Sequence, residues 1–125
     1  MSSIQSFITK AEELDLSAED IKRILNGNIN IVSYHELKGV NDINQLFNPH
    51  GAFILLYELR ENFGHWVAVI DEGDKIEFFD SYGMNPDEEL NYAKYNNQPY
   101  LTNLLKKTGK QVIANKKKLQ KFKQD

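Results

Sequence analysis

The sequence predicts an α+β fold, a small mixed β-sheet with flanking helices. Three observations predict it. Apolar residues recur at helical spacing through the first 25 positions. Residues 52–80 carry apolar, strand-like runs joined by a tight acidic turn. A helical pattern followed by a short β-prone run occupies 98–114.

Taken in order, Ile4, Phe7, Ile8, Ala11 and Leu14 give a helix over 3–14. Ser17 and Asp20 form an S-x-x-D capping signal ahead of Ile21, Ile24 and Leu25, so a second helix runs to about Asn26. Gly27-Asn28 stops it. Residues 29–50 are less clear: Ile29, Ile31 and Val32 are mixed with Asn, Ile43 to Phe47 suits a short helix, and Asn48-Pro49-His50-Gly51 is a turn. Ala52 to Tyr57 is a continuous apolar run, as in a strand buried on both faces. Arg60-Glu61-Asn62 is a polar connection, His65 to Ile70 a second strand, Asp71-Glu72-Gly73-Asp74 a hairpin turn and Lys75 to Asp80 a third strand. Leu101, Leu104 and Leu105 mark one face of a helix over 98–108 that ends at Gly109, and Gln111 to Ala114 is a short strand. The expected organisation is one domain over 1–125, helical to about residue 28 and sheet-containing from about 29 onward.

Composition narrows the function classes. Seven Phe, six Tyr and one Trp in 125 residues are enough for a core, which excludes global disorder. There is no Cys, so a disulfide scaffold, a Cys-zinc site and a thiol nucleophile within these residues are excluded. No apolar run approaches the ~20 residues that cross a bilayer. The N-terminus has no basic segment followed by an apolar one, so an intracellular, non-secreted protein is expected, with no membrane partner. Charge is uneven: residues 1–100 carry 7 Lys/Arg against 17 Asp/Glu, and residues 101–125 carry 8 Lys against one Asp. The Lys-rich end reads as a solvated surface or as a weak nucleic-acid contact. Phe122 is the only aromatic interleaved with its charges.

The hairpin brings two chemistry-bearing residues together. With Glu72-Gly73 as the turn tip, Val69 faces Ile76, Val67 faces Phe78 and His65 faces Asp80. Directly opposed side chains have Cβ atoms ~5 Å apart on one face of the sheet. A carboxylate beside an imidazole fixes its tautomer and stabilises the imidazolium formed when the other nitrogen takes a proton. That is the base-and-orienter half of a nucleophilic triad, and equally a structural strand-end pair. Ser81 lacks nucleophile-elbow surroundings and points off Asp80's face. His35 and His50 read as loop or surface residues, no metal-ligand spacing is present, and Gly64, Gly73 and Gly83 are isolated turn glycines. No metal or other cofactor is expected.

Gly64-His65-Trp66-Val67-Ala68-Val69-Ile70, an acidic turn, then Ile76-Glu77-Phe78-Phe79-Asp80-Ser81-Tyr82-Gly83 resembles the block that carries the catalytic His and Asp in adenain-like and Ulp1-like cysteine peptidases. The versions in large DNA viruses and virophages are the most similar. The run Phe53 to Tyr57 resembles their central strand. Ser33-Tyr34-His35-Glu36-Leu37, with Ile43 to Phe47, resembles the N-terminal region of the viral members. The resemblance spans about residues 30–125, and its specific part is 63–83. It implies a papain-like fold of the Ulp1/adenain type, with His65 as base, Asp80 as orienter and Trp66 as part of the signature at the substrate site. An ordinary buried aromatic is the plain alternative for Trp66. Gln120, with Gln124 second, matches the approach to the family's oxyanion-hole Gln, a donor worth ~3 kcal/mol in the transition state.

The resemblance places the nucleophilic Cys and its helix just beyond Asp125. Three explanations follow. The chain is a piece of a longer peptidase, the missing part arrives on another chain or segment, or the protein is a peptidase-derived virion or interaction scaffold without catalysis. On the first, the substrates implied are virion structural precursors (capsid precursors) or a ubiquitin-like conjugate, in the virion or host cytoplasm. Without the Cys helix the 125-residue chain is inactive. The face bearing His65, Val67 and Phe78 is then expected to lack cover, unless a partner or the Lys116–Asp125 tail, through Leu119 and Phe122, supplies it.

Overall fold

The computed structural model describes residues 3–14, 16–25, 27, 29–60, 63–91 and 98–114. Among the described residues five strands form one mixed sheet in the order β1-β2-β3-β4-β5: β1 Asn30–Ser33, β2 Ala52–Arg60, β3 Phe63–Asp71, β4 Lys75–Asp80 and β5 Gln111–Ala114. The central β2-β3-β4 meander is antiparallel. The outer strands are each parallel to their neighbour. Parallel pairing needs a crossover. The β1-to-β2 crossover carries a 3-10 helix, Tyr34–Gly39, and α3, Asn44–Phe47; the β4-to-β5 crossover carries α4, Tyr100–Lys107. Two further helices precede the sheet, α1 Ser3–Leu14 and α2 Ala18–Leu25.

Local chemistry sets these boundaries. Asp20 N–H donates to Ser17 Oγ at 3.1 Å and Ser17 N–H to Asp20 Oδ2 at 3.2 Å, the reciprocal cap read from S-x-x-D. A second cap, Ser33 with Glu36, starts the 3-10 helix. The capping carboxylate of α4 comes from outside the helix: Asp87 Oδ2 accepts from Thr102 N–H at 2.8 Å and from its hydroxyl at 2.7 Å. β1 is the strand missing from the sequence reading. It is four residues long, half-buried throughout and begins with Asn30, too short for a period-2 pattern to mark it.

Side-chain alternation divides the apolar residues between the two faces of the sheet. Phe53, Leu55, Tyr57, Val67, Val69, Ile76 and Phe78 pack under the crossover helices, against Tyr34, Leu37, Phe47, Leu101, Leu104 and Leu105. Ile54, Leu56, Trp66, Ala68 and Phe79 pack under α1 and α2, against Ile8, Ala11 and Ile21. Val67 and Phe78 are both 0 % exposed. The expected uncovered face is therefore covered, because α4 and the 3-10 helix lie over it; Leu119 and Phe122 lie outside the described residues. Burying a side chain of this size contributes ~1.5–3 kcal/mol. The apolar stripe of α1 also differs at its end, since Leu14 is 67 % exposed.

The hairpin register differs from expectation by two residues. Val67 pairs with Asp80, Val69 with Phe78 and Asp71 with Ile76. The turn is the cause. Glu72 N–H donates to Lys75 O at 2.9 Å, so the two loop residues are Gly73-Asp74, with Gly73 at φ +95°. Gly at the first loop position suits a two-residue hairpin whose twist matches the strands. A slip of two keeps every side chain on its face, so His65 and Asp80 still share one.

Candidate functional site

His65 stands near the start of β3, paired with Tyr57 of β2 and two residues beyond the last β3–β4 pair. Asp80 ends β4 diagonally across from it. A diagonal neighbour is ~7–8 Å away between backbones, within reach of long side chains. The His65 Nε2–H donates to Asp80 Oδ1 at 2.6 Å. The same Oδ1 accepts the Tyr82 N–H at 2.8 Å, which fixes the carboxylate. The Tyr82 ring stacks on the imidazole, with centroids 4.6 Å apart and planes 9° apart. His65 is 3 % exposed and Asp80 1 %.

The second ring nitrogen is also engaged. Glu12, on α1, ion-pairs with His65 Nδ1, its side chain 7 % exposed. Burial disfavours the imidazolium, but the hydrogen bonds and charges of Asp80 and Glu12 outweigh it and push the His65 pKa up to about 10. The ring is thus an imidazolium clamped between two carboxylates, with Nε2 oriented and Nδ1 occupied. An imidazole poised this way binds an anion at Nδ1; it becomes a base only when that anion leaves.

The sequence reading missed Glu12 and Tyr82. Glu12 follows Ile8 by one helical turn, which places it on the buried side of α1. A carboxylate on the apolar stripe was the available signal. Tyr82 follows Asp80 by two residues, and only the tight turn after β4, closed by Gly83 N–H to Asp80 O at 2.8 Å, brings its ring back over His65.

Other candidates fall elsewhere. Trp66, expected at the substrate site, points to the opposite face, 1 % exposed, with its indole N–H donating to Leu16 O at 3.2 Å. In this arrangement it is a core residue, because the residue after His65 in a strand must face the other way. Ser81 is fully buried. His35 is exposed and pairs through Nδ1 with Glu58 Oε1 at 3.0 Å. Gln120, Gln124 and the Lys-rich end from 116 lie outside the described residues. Among the described residues no group of three His, Cys, Asp or Glu side chains is placed to hold a metal ion, and no helix is long and apolar enough to cross a membrane. Two surface clefts of about 450 and 420 Å³ open beside α4, and neither is lined by His65 or Asp80.

Comparison with known proteins adds an origin. An uncharacterized protein of Sputnik virophage, V9, is 38 % identical over 118 residues, a match covering 88 % of this chain and 67 % of the relative. The chain belongs to the V9 family. Membership indicates a viral protein of virophage type. No family model matches the chain, and no solved structure does. The α+β architecture with a five-stranded mixed sheet therefore stands on the fold of this chain described above.

Proposed function

We propose that this V9-family protein is the base-and-orienter part of a virophage cysteine peptidase that processes virion structural precursors, its nucleophilic Cys lying outside these 125 residues. One observation carries the reading: a buried His65 held through Nε2 by a carboxylate that a backbone N–H fixes in turn. His65 would take the thiol proton at Nδ1 and later return it to the leaving amine, with Asp80 holding the tautomer and Gln120 as the oxyanion donor. The G-H-W and F-D-S-Y-G segments fit the same roles. The V9 relative's length beyond the matched 67 % leaves room for a further segment in the family.

The test is labelling of the product of the whole reading frame by a thiol-directed peptide probe, together with cleavage of virion precursor proteins. Labelling abolished by His65→Ala is expected. A product that neither labels nor cleaves would overturn the reading. The absence of Cys from the 125 residues favours a second one, a non-catalytic virion scaffold, and that negative result would select it.

A further inference from the structure

The Nδ1 of His65 is the atom through which the base of the proposed peptidase would serve a thiol, and a side chain of α1 already holds it. Glu12 of α1 ion-pairs with it. The other groups that face the ring are Asp80 from β4, Tyr82 from the loop after β4 and Tyr57 opposite on β2, whose hydroxyl is engaged with Asp87. Two carboxylates and one imidazolium already share this pocket. A thiolate added to them would be a third anion on a single cation, in a site only a few per cent exposed. Like charges so placed cannot all stay ionised. Glu12 and the nucleophile therefore exclude one another.

The geometry points to α1 as an autoinhibitory helix: Glu12 occupies the His65 Nδ1 in place of the thiolate, and the helix must withdraw before the nucleophile engages. This rests on the peptidase reading above. The attachment of α1 suits such a role. The helix pairs with no strand, so its departure breaks no sheet hydrogen bond. It is held by Ile8 and Ala11 at the core, by the partly buried Ile4 and Phe7 packed against the same cluster, by Gln5 donating to Glu77 on β4 and by Glu12 itself. A helix of 12 residues has little stability of its own away from the sheet. Withdrawal would also free the Leu16 carbonyl from the Trp66 indole.

The test has two arms. In the 125-residue chain, hydrogen exchange is compared for the native protein, Glu12→Gln, Glu12→Ala and Gln5→Ala. The α1 amides are expected to exchange about tenfold faster in the variants while β2–β4 stay protected. Emission of Trp66, the sole Trp, should shift to the red. Exchange of α1 that does not change, or that rises together with the sheet, would overturn the inference, since the helix would then be an integral part of the fold. In the second arm, the product of the whole reading frame is labelled with the thiol-directed probe. Faster labelling of both Glu12→Gln and Gln5→Ala supports the latch, and Gln5→Ala does so without touching the His65 pocket. Labelling that persists at an unchanged or lower rate overturns the latch alone. Absence of any His65-dependent labelling in native and variant proteins removes the peptidase reading, and the inference with it.

Discussion

Asp80 stands opposite Val67 in the sheet, yet its Oδ1 lies 2.6 Å from the Nε2 of His65, two positions along the strand. The pair is a diagonal one, and the reach is made by the imidazole rather than by strand pairing. Asp80→Asn keeps the shape and removes the charge. The His65 titration midpoint, read by NMR of the ring, should move from about 10 down toward 6.5. Breaking a buried, charge-assisted pair costs about 3 kcal/mol in unfolding free energy, measurable by denaturant titration. A midpoint that does not move would show that Glu12 alone sustains the imidazolium.

Stability should depend on pH through the same residue. The folded-state pKa of His65 is raised from 6.5 to about 10, so the folded state holds this proton more tightly than the unfolded chain. Its contribution is fully present below about 6.5 and is lost as pH rises toward 10. Denaturant midpoints should therefore fall steadily from pH 6.5 to 9.5, below the range where Tyr34 and Tyr57, whose hydroxyls burial holds above their ordinary value, add their own slope. His65→Ala should flatten the profile. A native profile already flat across that window would contradict the clamped imidazolium.

The register of the hairpin rests on Gly73. It lies at φ +95°, and a Cβ there would meet nothing within 4 Å, so any cost of substitution is a backbone cost. Gly73→Ala is expected to destabilise by about 1 kcal/mol with no rearrangement of the core, while Gly73→Val should cost more. Equilibrium unfolding of the two variants checks the order. Equal stability of Gly73→Val and native protein would exclude the strained turn.

Asp87 joins β2 to α4. It accepts from the Tyr57 hydroxyl at 3.1 Å and caps Thr102 of α4, while its own backbone sits at φ +66°. Asp87→Asn keeps an acceptor oxygen and tolerates that backbone, so its cost should be below about 1 kcal/mol. Asp87→Ala loses both and should cost about 2 kcal/mol. The ranking, rather than either value, is the measurement that matters: Ala as mild as Asn would mean the cap contributes nothing.

Much of the fold was legible where one period dominated. The helix over 3–14, the capped second helix, the β4 bounds and the short strand 111–114 follow directly from spacing and caps. The His65–Asp80 contact was legible for a partly mistaken reason. Parity along the strands is fixed by side-chain alternation, so an error of two residues in the turn left both side chains on one face. β1 was not legible, because a four-residue parallel edge strand is defined by its neighbour rather than by its own pattern. Glu12 was marked only by its place on the apolar stripe of α1: its partner lies 53 positions away, and nothing local to the helix names that partner. The cover over Val67 and Phe78 was misjudged because α4 was read as a helix without being assigned to a face.

The mixed pairing of the sheet also bears on the route by which the chain reaches its native state. β2, β3 and β4 are consecutive in the chain and pair antiparallel, so their contacts close small loops early. β1 and β5 can dock only after a crossover has folded, with the larger chain entropy that such closure costs. The sheet should therefore assemble from the middle outward and come apart from the rims inward. Native-state exchange of individual amides would show this as slowest release in β3 and fastest in β1 and β5; a uniform rate across all five strands would mean that the sheet opens as one unit.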